Sequence, residues 1–159
     1  CRMTVLRKLQ EVLDQQHVPY EVRTHPEVFT AQEIAAALHV PGRELAKVVM
    51  VKAGDRFVMA VLPASWRVDL PRLRAVLNAP DARLATEAEF KGLFPDCDVG
   101  AMPPFGNLYG LEVYVDRSLT ADETILFNAG THYEAVRMKY EDFARMARPL
   151  IADFAVHLH

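Results

Sequence analysis

The chain has 159 residues, of which 51% are apolar and 25% are charged, and its net charge is −3. This composition can build a hydrophobic core without disulfides or metal, so we expect residues 1–159 to form a single domain. The small negative charge argues against a protein that coats nucleic acid through a broad basic face. Two cysteines without disulfide or zinc spacing, and no apolar run of membrane-spanning length, favour a cytoplasmic protein.

The first half of the chain predicts two helices, a short strand and a hairpin. Apolar spacing predicts a helix over 4–16, and alternation predicts a strand over 20–24. Thr30 and Glu33 form a capping box that opens a second helix, over 31–39. Two β-rich runs joined by Gly54-Asp55 predict a hairpin with a central first strand. The hairpin strands are expected at 45–53 and 56–62.

The second half mixes helices and strands without strict alternation. Asp69 caps a helix with Pro71 in its first turn, and Thr86 with Glu89 forms another capping box. Three strands and a last helix are expected at 111–116, 124–128, 133–138 and 140–147. The order of elements predicts an α/β (α+β) fold with a central mixed sheet or open barrel flanked by helices.

Lys47 is the first candidate for chemistry because it lies inside an otherwise apolar strand. It either points into a pocket, where its ammonium would bind a phosphate, carboxylate or ester carbonyl, or extends into solvent from a strand end. Lys52 lies five residues further on and therefore faces the opposite side of a regular strand. At most one of the two lysines can serve the same pocket directly.

The segment 100–106 is the second candidate, with glycines at both ends and two prolines in its middle. Such a loop can present backbone N–H groups to an oxyanion, and Phe105 could offer a stacking surface. The alternative is a plain rigid turn between two elements.

The turn 128–132 is the third candidate, because it places polar groups after a strand. His132 could orient water or bind substrate, or it could be a surface histidine. Four cations near the C-terminus could touch the tip of an RNA or simply form a solvated helix face. These cations are Arg137, Lys139, Arg145 and Arg148.

The sequence contains no nucleotide-binding glycine loop, zinc motif or nucleophile elbow. Any chemistry is therefore expected to run without metal, dinucleotide or a protein nucleophile, through a pocket that positions the substrate's own groups.

An ordered set of short motifs resembles the YbaK/prolyl-tRNA synthetase-associated editing domain family. The set begins with His25-Pro26 and Phe29-Thr30-Ala31 and continues with Leu45-Ala46-Lys47-Val48-Val49. It ends with Phe94-Pro95-Asp96-Cys97-Asp98-Val99-Gly100, Pro103-Pro104-Phe105-Gly106 and Asn128-Ala129-Gly130-Thr131-His132. The resemblance covers about residues 20–148.

The resemblance implies a compact YbaK-like fold and hydrolysis of the ester between an amino acid and the terminal adenosine of a tRNA. The chain is expected to act in trans as a free-standing deacylase, with no cofactor and no membrane association. Its partner is the 3′ end of a mischarged tRNA, and an aminoacyl-tRNA synthetase is a candidate second partner. The residue matching Lys47 anchors substrate, and the glycine matching Gly100 lines the carbonyl site.

The resemblance also implies a set of pocket residues. We expect substrate-binding roles for Tyr20, Phe29, Thr30, Ala46, Val48, Pro103, Phe105, Gly106, Asn128, Gly130 and His132. Val48 replaces an asparagine that is common in the alanine-specific branch, so that specificity does not transfer. The apolar neighbours of Lys47 favour a small apolar or hydroxylated amino acid.

The mechanism that these residues predict is substrate-assisted. The ester carbonyl would point at backbone amides of the Gly100 loop, and a water or the free ribose hydroxyl would complete the attack. The main alternative is a non-catalytic module that binds aminoacyl-tRNA or a nucleotide. An esterase of small acyl compounds is a third alternative that lacks a triad. The identity of the amino acid and of the tRNA stays open.

Overall fold

The computed structural model describes residues 7–24, 36, 38, 42–94, 102–130 and 134–157. The helices in this part of the chain are α1 (Arg7–Gln15), α2 (Leu70–Leu77), α3 (Glu87–Phe90) and α4 (Tyr140–Ala147). The first five strands are β1 (Glu21–Thr24), β2 (Ala46–Ala53), β3 (Arg56–Pro63), β4 (Trp66–Val68) and β5 (Arg83–Leu84). The others are β6 (Glu112–Asp116), β7 (Thr124–Asn128), β8 (Glu134–Lys139), β9 (Leu150–Ala152) and β10 (Ala155–His157).

A five-stranded mixed sheet in the order β5-β2-β3-β6-β9 is the centre of the fold. Strands β2 and β3 form the predicted antiparallel hairpin, in which Gly54 adopts φ of 63° at the turn. Strand β6 then adds in parallel to β3, and β9 adds in parallel to β6. The prediction of a central mixed sheet is therefore confirmed.

A second, three-stranded antiparallel sheet in the order β1-β8-β7 lies beside the first. The two sheets meet at one parallel bridge, between Leu45 just before β2 and Leu126 in β7. Strands β2 and β7 therefore run in the same direction where they meet. This junction positions the candidate site.

Alternation along β2 and β3 separates the hydrophobic residues into clusters on opposite faces of the central sheet. One face carries the main core, which includes Ala46, Met50 and Phe105 and packs against α1 and α4. The other face carries a second core around α2, with Val51 and Leu62. A third, small group, which we call the junction cluster, lies where the two sheets meet. It consists of Leu45, Ala64, Leu126 and Ala135, with Leu38 packed against it.

The predicted helix starts are confirmed by their capping hydrogen bonds. The Asp69 carboxylate accepts from the backbone N–H of Arg72 at 3.2 Å. The Thr86 hydroxyl accepts from the N–H of Glu89 at 3.3 Å, and the Glu89 carboxylate accepts from the N–H of Thr86 at 2.9 Å. Such caps satisfy amides that have no partner inside the helix, which is why they mark helix starts in a sequence.

The first helix starts within its predicted span, and the three strands predicted in the second half lie within one residue of their expected starts. The helix predicted over 31–39 lies outside the described residues except for positions 36 and 38. Strands β4, β5, β9 and β10 were not predicted, because two or three residues are too few to show a period. Within the described part of the chain, no helix is long and apolar enough to cross a membrane.

Candidate active site

Lys47 lies near the start of β2, and its side chain is half-buried. Its ammonium donates one long hydrogen bond, of 3.5 Å, to the carbonyl oxygen of Ala64. Burial lowers the pKa of Lys47, because partial loss of hydration disfavours the charged form. Within the described ranges no carboxylate forms an ion pair with Lys47, so its charge is available to a ligand.

Lys52 faces the other side of β2, as its spacing from Lys47 predicts. Its ammonium lies 3.5 Å from a carboxylate oxygen of Glu89 and 5.6 Å from the centre of the Phe57 ring. Phe57 packs against the main core, and Glu89 also forms an ion pair of 2.7 Å with Arg83. Lys52 is therefore a stabilising cation, and Lys47 is the lysine that can act on a ligand.

Asn128 is the polar residue that the fold places beside Lys47. Both residues lie two positions after the bridge between Leu45 and Leu126, on chains that run in parallel. Since side chains alternate along a strand, both point to the same side as the bridged leucines. The side-chain oxygen of Asn128 is buried and has no hydrogen-bond partner among the described residues.

The junction cluster forms the apolar floor between these two polar groups. Ala64 donates its backbone N–H to the carbonyl of Leu45, and Ala135 pairs with Asn128 across β7 and β8. Two of the four floor residues are alanines, and all four are at most 2% exposed, so the floor is closely packed. The sequence analysis did not identify this floor, because its members come from four separate segments.

Ala46 and Val48 are neighbours of Lys47 in sequence but not in orientation. Ala46 is 3% exposed and belongs to the main core, and Val48 packs against the same core. Their side chains point away from the ammonium of Lys47 because successive residues of a strand face opposite sides. The expectation that they line the same pocket as Lys47 is corrected accordingly, and we leave them out of the site proposed below.

Phe105 is also a core residue. Its ring is fully buried and meets the ring of Phe143 edge-on, with 5.4 Å between centroids, and that of Phe127 at 5.6 Å. These contacts are typical of aromatic packing inside a protein. The ring is therefore not exposed for the stacking role that the sequence suggested.

The remaining described members of the predicted pocket have structural roles. Pro103 is buried, and Gly106 begins a 3-10 helix with no room for a side chain. Gly130 is buried with φ of 101°, a conformation that favours glycine, and it shapes the turn after Asn128. Tyr20 packs against the main core and donates to Asp14 at 3.3 Å, away from the junction cluster.

Four of the predicted site residues lie outside the described residues. They are Phe29, Thr30, Gly100 and His132. Lys47 and Asn128 lie at equivalent positions beyond one bridge, and the roles of the four residues outside the described structure stay predictions. No group of three or more potential metal ligands occurs in the part of the chain that the structure describes.

Comparison with known proteins identifies the family. Residues 25–146 match the family model for the aminoacyl-tRNA editing domain, and the chain belongs to that family. It is accordingly an aminoacyl-tRNA deacylase, a hydrolase that acts on mischarged aminoacyl-tRNA, as the sequence analysis predicts. The family assignment favours this enzyme over the non-catalytic binding module.

The individual relatives cover the chain to different extents. The multifunctional Ser/Thr-tRNA deacylase ProXp-y of Escherichia coli K12 is 29% identical over 153 residues, covering 93% of this chain and 91% of the relative. The proline–tRNA ligase of Thiobacillus denitrificans is 33% identical over 100 residues, which are 62% of this chain and 17% of the ligase. A crystal structure of a candidate trans-editing enzyme for prolyl-tRNA synthetase superposes with a TM-score of 0.83 at 21% identity. That superposition covers 98% of this chain and 99% of the other, and it confirms the fold.

Proposed function

We propose that this editing domain removes a small, hydroxyl-bearing amino acid from mischarged tRNA at the surface formed by Lys47, Asn128 and the junction cluster. One observation carries the proposal: a half-buried ammonium without a carboxylate partner and a buried amide oxygen without any hydrogen-bond partner in the described structure both belong to residues two positions beyond the same bridge. A buried acceptor without a donor is costly in a folded protein, and a ligand or a water that supplies the donor offsets that cost.

The two polar groups suit the two ends of an aminoacyl ester. The ammonium of Lys47 can bind an oxygen that carries negative charge, either a phosphate of the terminal adenosine or the ester carbonyl during attack. The free oxygen of Asn128 can accept from the substrate's α-ammonium or side-chain hydroxyl. An unfilled buried acceptor costs about 1–3 kcal/mol, so a substrate donor that fills it gains in binding.

The floor of the surface favours a small substrate side chain. Ala64 and Ala135 are fully buried and packed against the two leucines of the bridge. Because neither alanine has exposed surface, a substrate side chain reaches this floor only if neighbouring residues move, and a methyl or hydroxymethyl group requires the smallest movement. A relative that matches 93% of the chain is a Ser/Thr-tRNA deacylase, and we propose serine and threonine as the first substrates to test.

The proposed reaction adds water to the ester carbonyl and breaks the bond between that carbon and the ribose oxygen. The ribose oxygen takes up a proton, and the products are a free amino acid and an intact tRNA end. Lys47 positions the substrate, while backbone amides near Gly100 stabilise the oxyanion and the neighbouring ribose hydroxyl relays the proton. Gly100, His132, Phe29 and Thr30 keep their predicted roles as parts of this proposal.

We further propose that residues 1–159 act as one editing domain on the 3′ end of a tRNA in the cytoplasm. The similarity to a segment of proline–tRNA ligase makes a synthetase the natural protein to deliver that tRNA. No metal or other cofactor takes part in the proposed reaction.

A panel of mischarged tRNAs tests the proposal. The wild-type chain is expected to release serine or threonine faster than larger residues, and Lys47→Ala should slow release by at least 10²-fold, about the effect of losing one charge-stabilising donor. Lys52→Ala is the matched control, because it removes the same charge from the same strand on the opposite face. Equal rates for the two variants would remove Lys47 from the mechanism. If the wild-type chain releases small and large amino acids of the panel at the same rate, the floor does not select substrates by size.

A further inference from the structure

The four cations near the C-terminus divide into two pairs with different surroundings. Arg137 and Lys139 lie on β8, and the pKa of Glu21 is lowered mainly by its hydrogen bond to Arg23 and to a smaller extent by the charge of Arg137. Lys139 borders a cavity of about 270 Å³ that is also lined by Asp122, Glu123 and Glu141. Carboxylates therefore offset this first pair, and a polyanion would gain little there.

The second pair, Arg145 and Arg148, lines a separate cavity of about 420 Å³ at the end of α4. Among the described residues its lining contains no carboxylate, and it includes two neutral amides, Gln16 and Asn107. Val12 from α1 forms part of the apolar wall. The cavity thus combines two guanidinium groups with amide donors and an apolar surface.

The charges of the second pair are only weakly compensated by the described residues. Arg145 donates to Asp142 at 3.2 Å, but its side chain is 64% exposed, so this ion pair is weak. Arg148 has no ion-pair or hydrogen-bond partner for its side chain among the residues that the structure describes. Asn107 donates to the backbone carbonyl of Met146 at 3.1 Å, which holds the cavity wall to the end of α4.

We propose that this cavity binds a backbone phosphate of the tRNA whose 3′ end occupies the editing site. The inference rests on the proposed function, since it names a second contact with the same substrate. Planar guanidinium groups match the geometry of a phosphate, and the apolar wall can pack against the adjacent ribose. A chain of net charge −3 needs such a local cationic site to retain an RNA.

Binding of uncharged tRNA at several salt concentrations tests the inference. Arg148→Gln and Arg145→Gln should each weaken binding about 3- to 10-fold. This loss of affinity lies between the loss expected for an exposed ion pair and that expected for a hydrogen bond to a charged group. Each should also lower the slope of log affinity against log salt by roughly 0.7–0.9. Arg148→Lys should recover part of the affinity because it restores a charge. The control is Arg117→Gln, which removes an equally exposed arginine paired with Asp153 and should change neither quantity.

A short substrate separates this inference from the proposed function. With serine esterified to adenosine 5′-phosphate, which keeps the phosphate of the terminal adenosine but lacks the rest of the tRNA backbone, the Arg148→Gln and wild-type chains should react equally, whereas Lys47→Ala should be slow on both substrates. If the arginine variants melt earlier yet bind tRNA with wild-type affinity and salt slope, the arginines only stabilise the end of α4, and the inference is overturned. If wild type binds tRNA through the arginines but hydrolyses neither substrate, the proposed function fails and the phosphate site stands.

Discussion

Lys47 and Asn128 lie two residues beyond the same parallel bridge, on neighbouring chains that belong to two different sheets. One offers an ammonium with a single weak acceptor, and the other offers a buried oxygen with no donor in the described structure. No hydrogen bond joins the two groups in the described structure, so each can still bind a ligand. Four predictions follow from the surroundings of named residues, the first from this pair.

Asn128→Ala separates substrate binding from folding. The substitution removes an oxygen that accepts no hydrogen bond from the described residues, so the free energy of unfolding in urea should stay the same or rise slightly. The rate constant kcat/KM for a hydroxylated substrate should fall about 10- to 100-fold, the loss of one good hydrogen bond to a charged group.

The double variant Lys47→Met/Asn128→Ala provides the control for that experiment. Because both groups are proposed to bind one substrate, the combined loss in kcat/KM should be smaller than the product of the single losses. Strictly multiplicative losses would mean that the two residues act at independent sites.

The pH profile of deacylation should report the titration of Lys47. Burial lowers the pKa of its ammonium, and the charged form is lost as the pH rises through that lowered value. After correction for spontaneous ester hydrolysis, kcat/KM should therefore decrease at high pH with a midpoint below the ordinary lysine pKa of about 10.4. Lys47→Arg should move this limb out of the measurable range, since arginine stays charged. An alkaline limb that is the same in both chains would assign it to another group.

Asp122 should make the protein less stable as the pH rises through about 6. Burial, aided by the nearby charge of Glu44, raises the pKa of Asp122 from 3.8 to about 6. The folded chain then binds this proton more tightly than the unfolded chain, so the group's stabilising contribution is complete below pH 4 and is lost as the pH rises through 6.

The substitution Asp122→Asn tests this, because the amide resembles the protonated acid. Its free energy of unfolding in urea should exceed that of wild type at pH 7, and the difference should vanish near pH 4. Asp153→Asn serves as the control, since Asp153 is exposed and ion-paired with Arg117. A difference that is the same at both pH values would contradict a raised pKa.

Gly106 should be intolerant of any side chain, although its backbone is not in a left-handed conformation. A methyl group there would lie 2.9 Å from Cγ2 of Val113 and 3.2 Å from the carbonyl oxygen of Leu111. We expect Gly106→Ala to lower the free energy of unfolding by about 1–3 kcal/mol, as overpacking does in other cores. Gly92→Ala is the matched control, since nothing lies within 4 Å of its added methyl group. If the two variants unfold alike in urea, the close approach at Gly106 has no energetic consequence.

The sequence by itself determined most of the local structure of this protein. Caps at Asp69 and Thr86, the Gly54-Asp55 turn and the alternation of strands act over a few residues, so their hydrogen bonds and periods can be read directly. The same alternation already places Lys47 and Lys52 on opposite faces of β2. Applied to Ala46 and Val48, it would also have removed these two residues from the expected pocket.

Only the tertiary structure decided which distant residues share a surface. The bridge between Leu45 and Leu126 brings Asn128 beside Lys47, and the burial of Phe105 and the sorting of the four C-terminal cations depend on how the sheets and α4 pack. Contacts of this kind form between segments far apart in the chain, and their free energy depends on the packing of the whole core. No local pattern of residues encodes them, which is why the candidate site needed the fold.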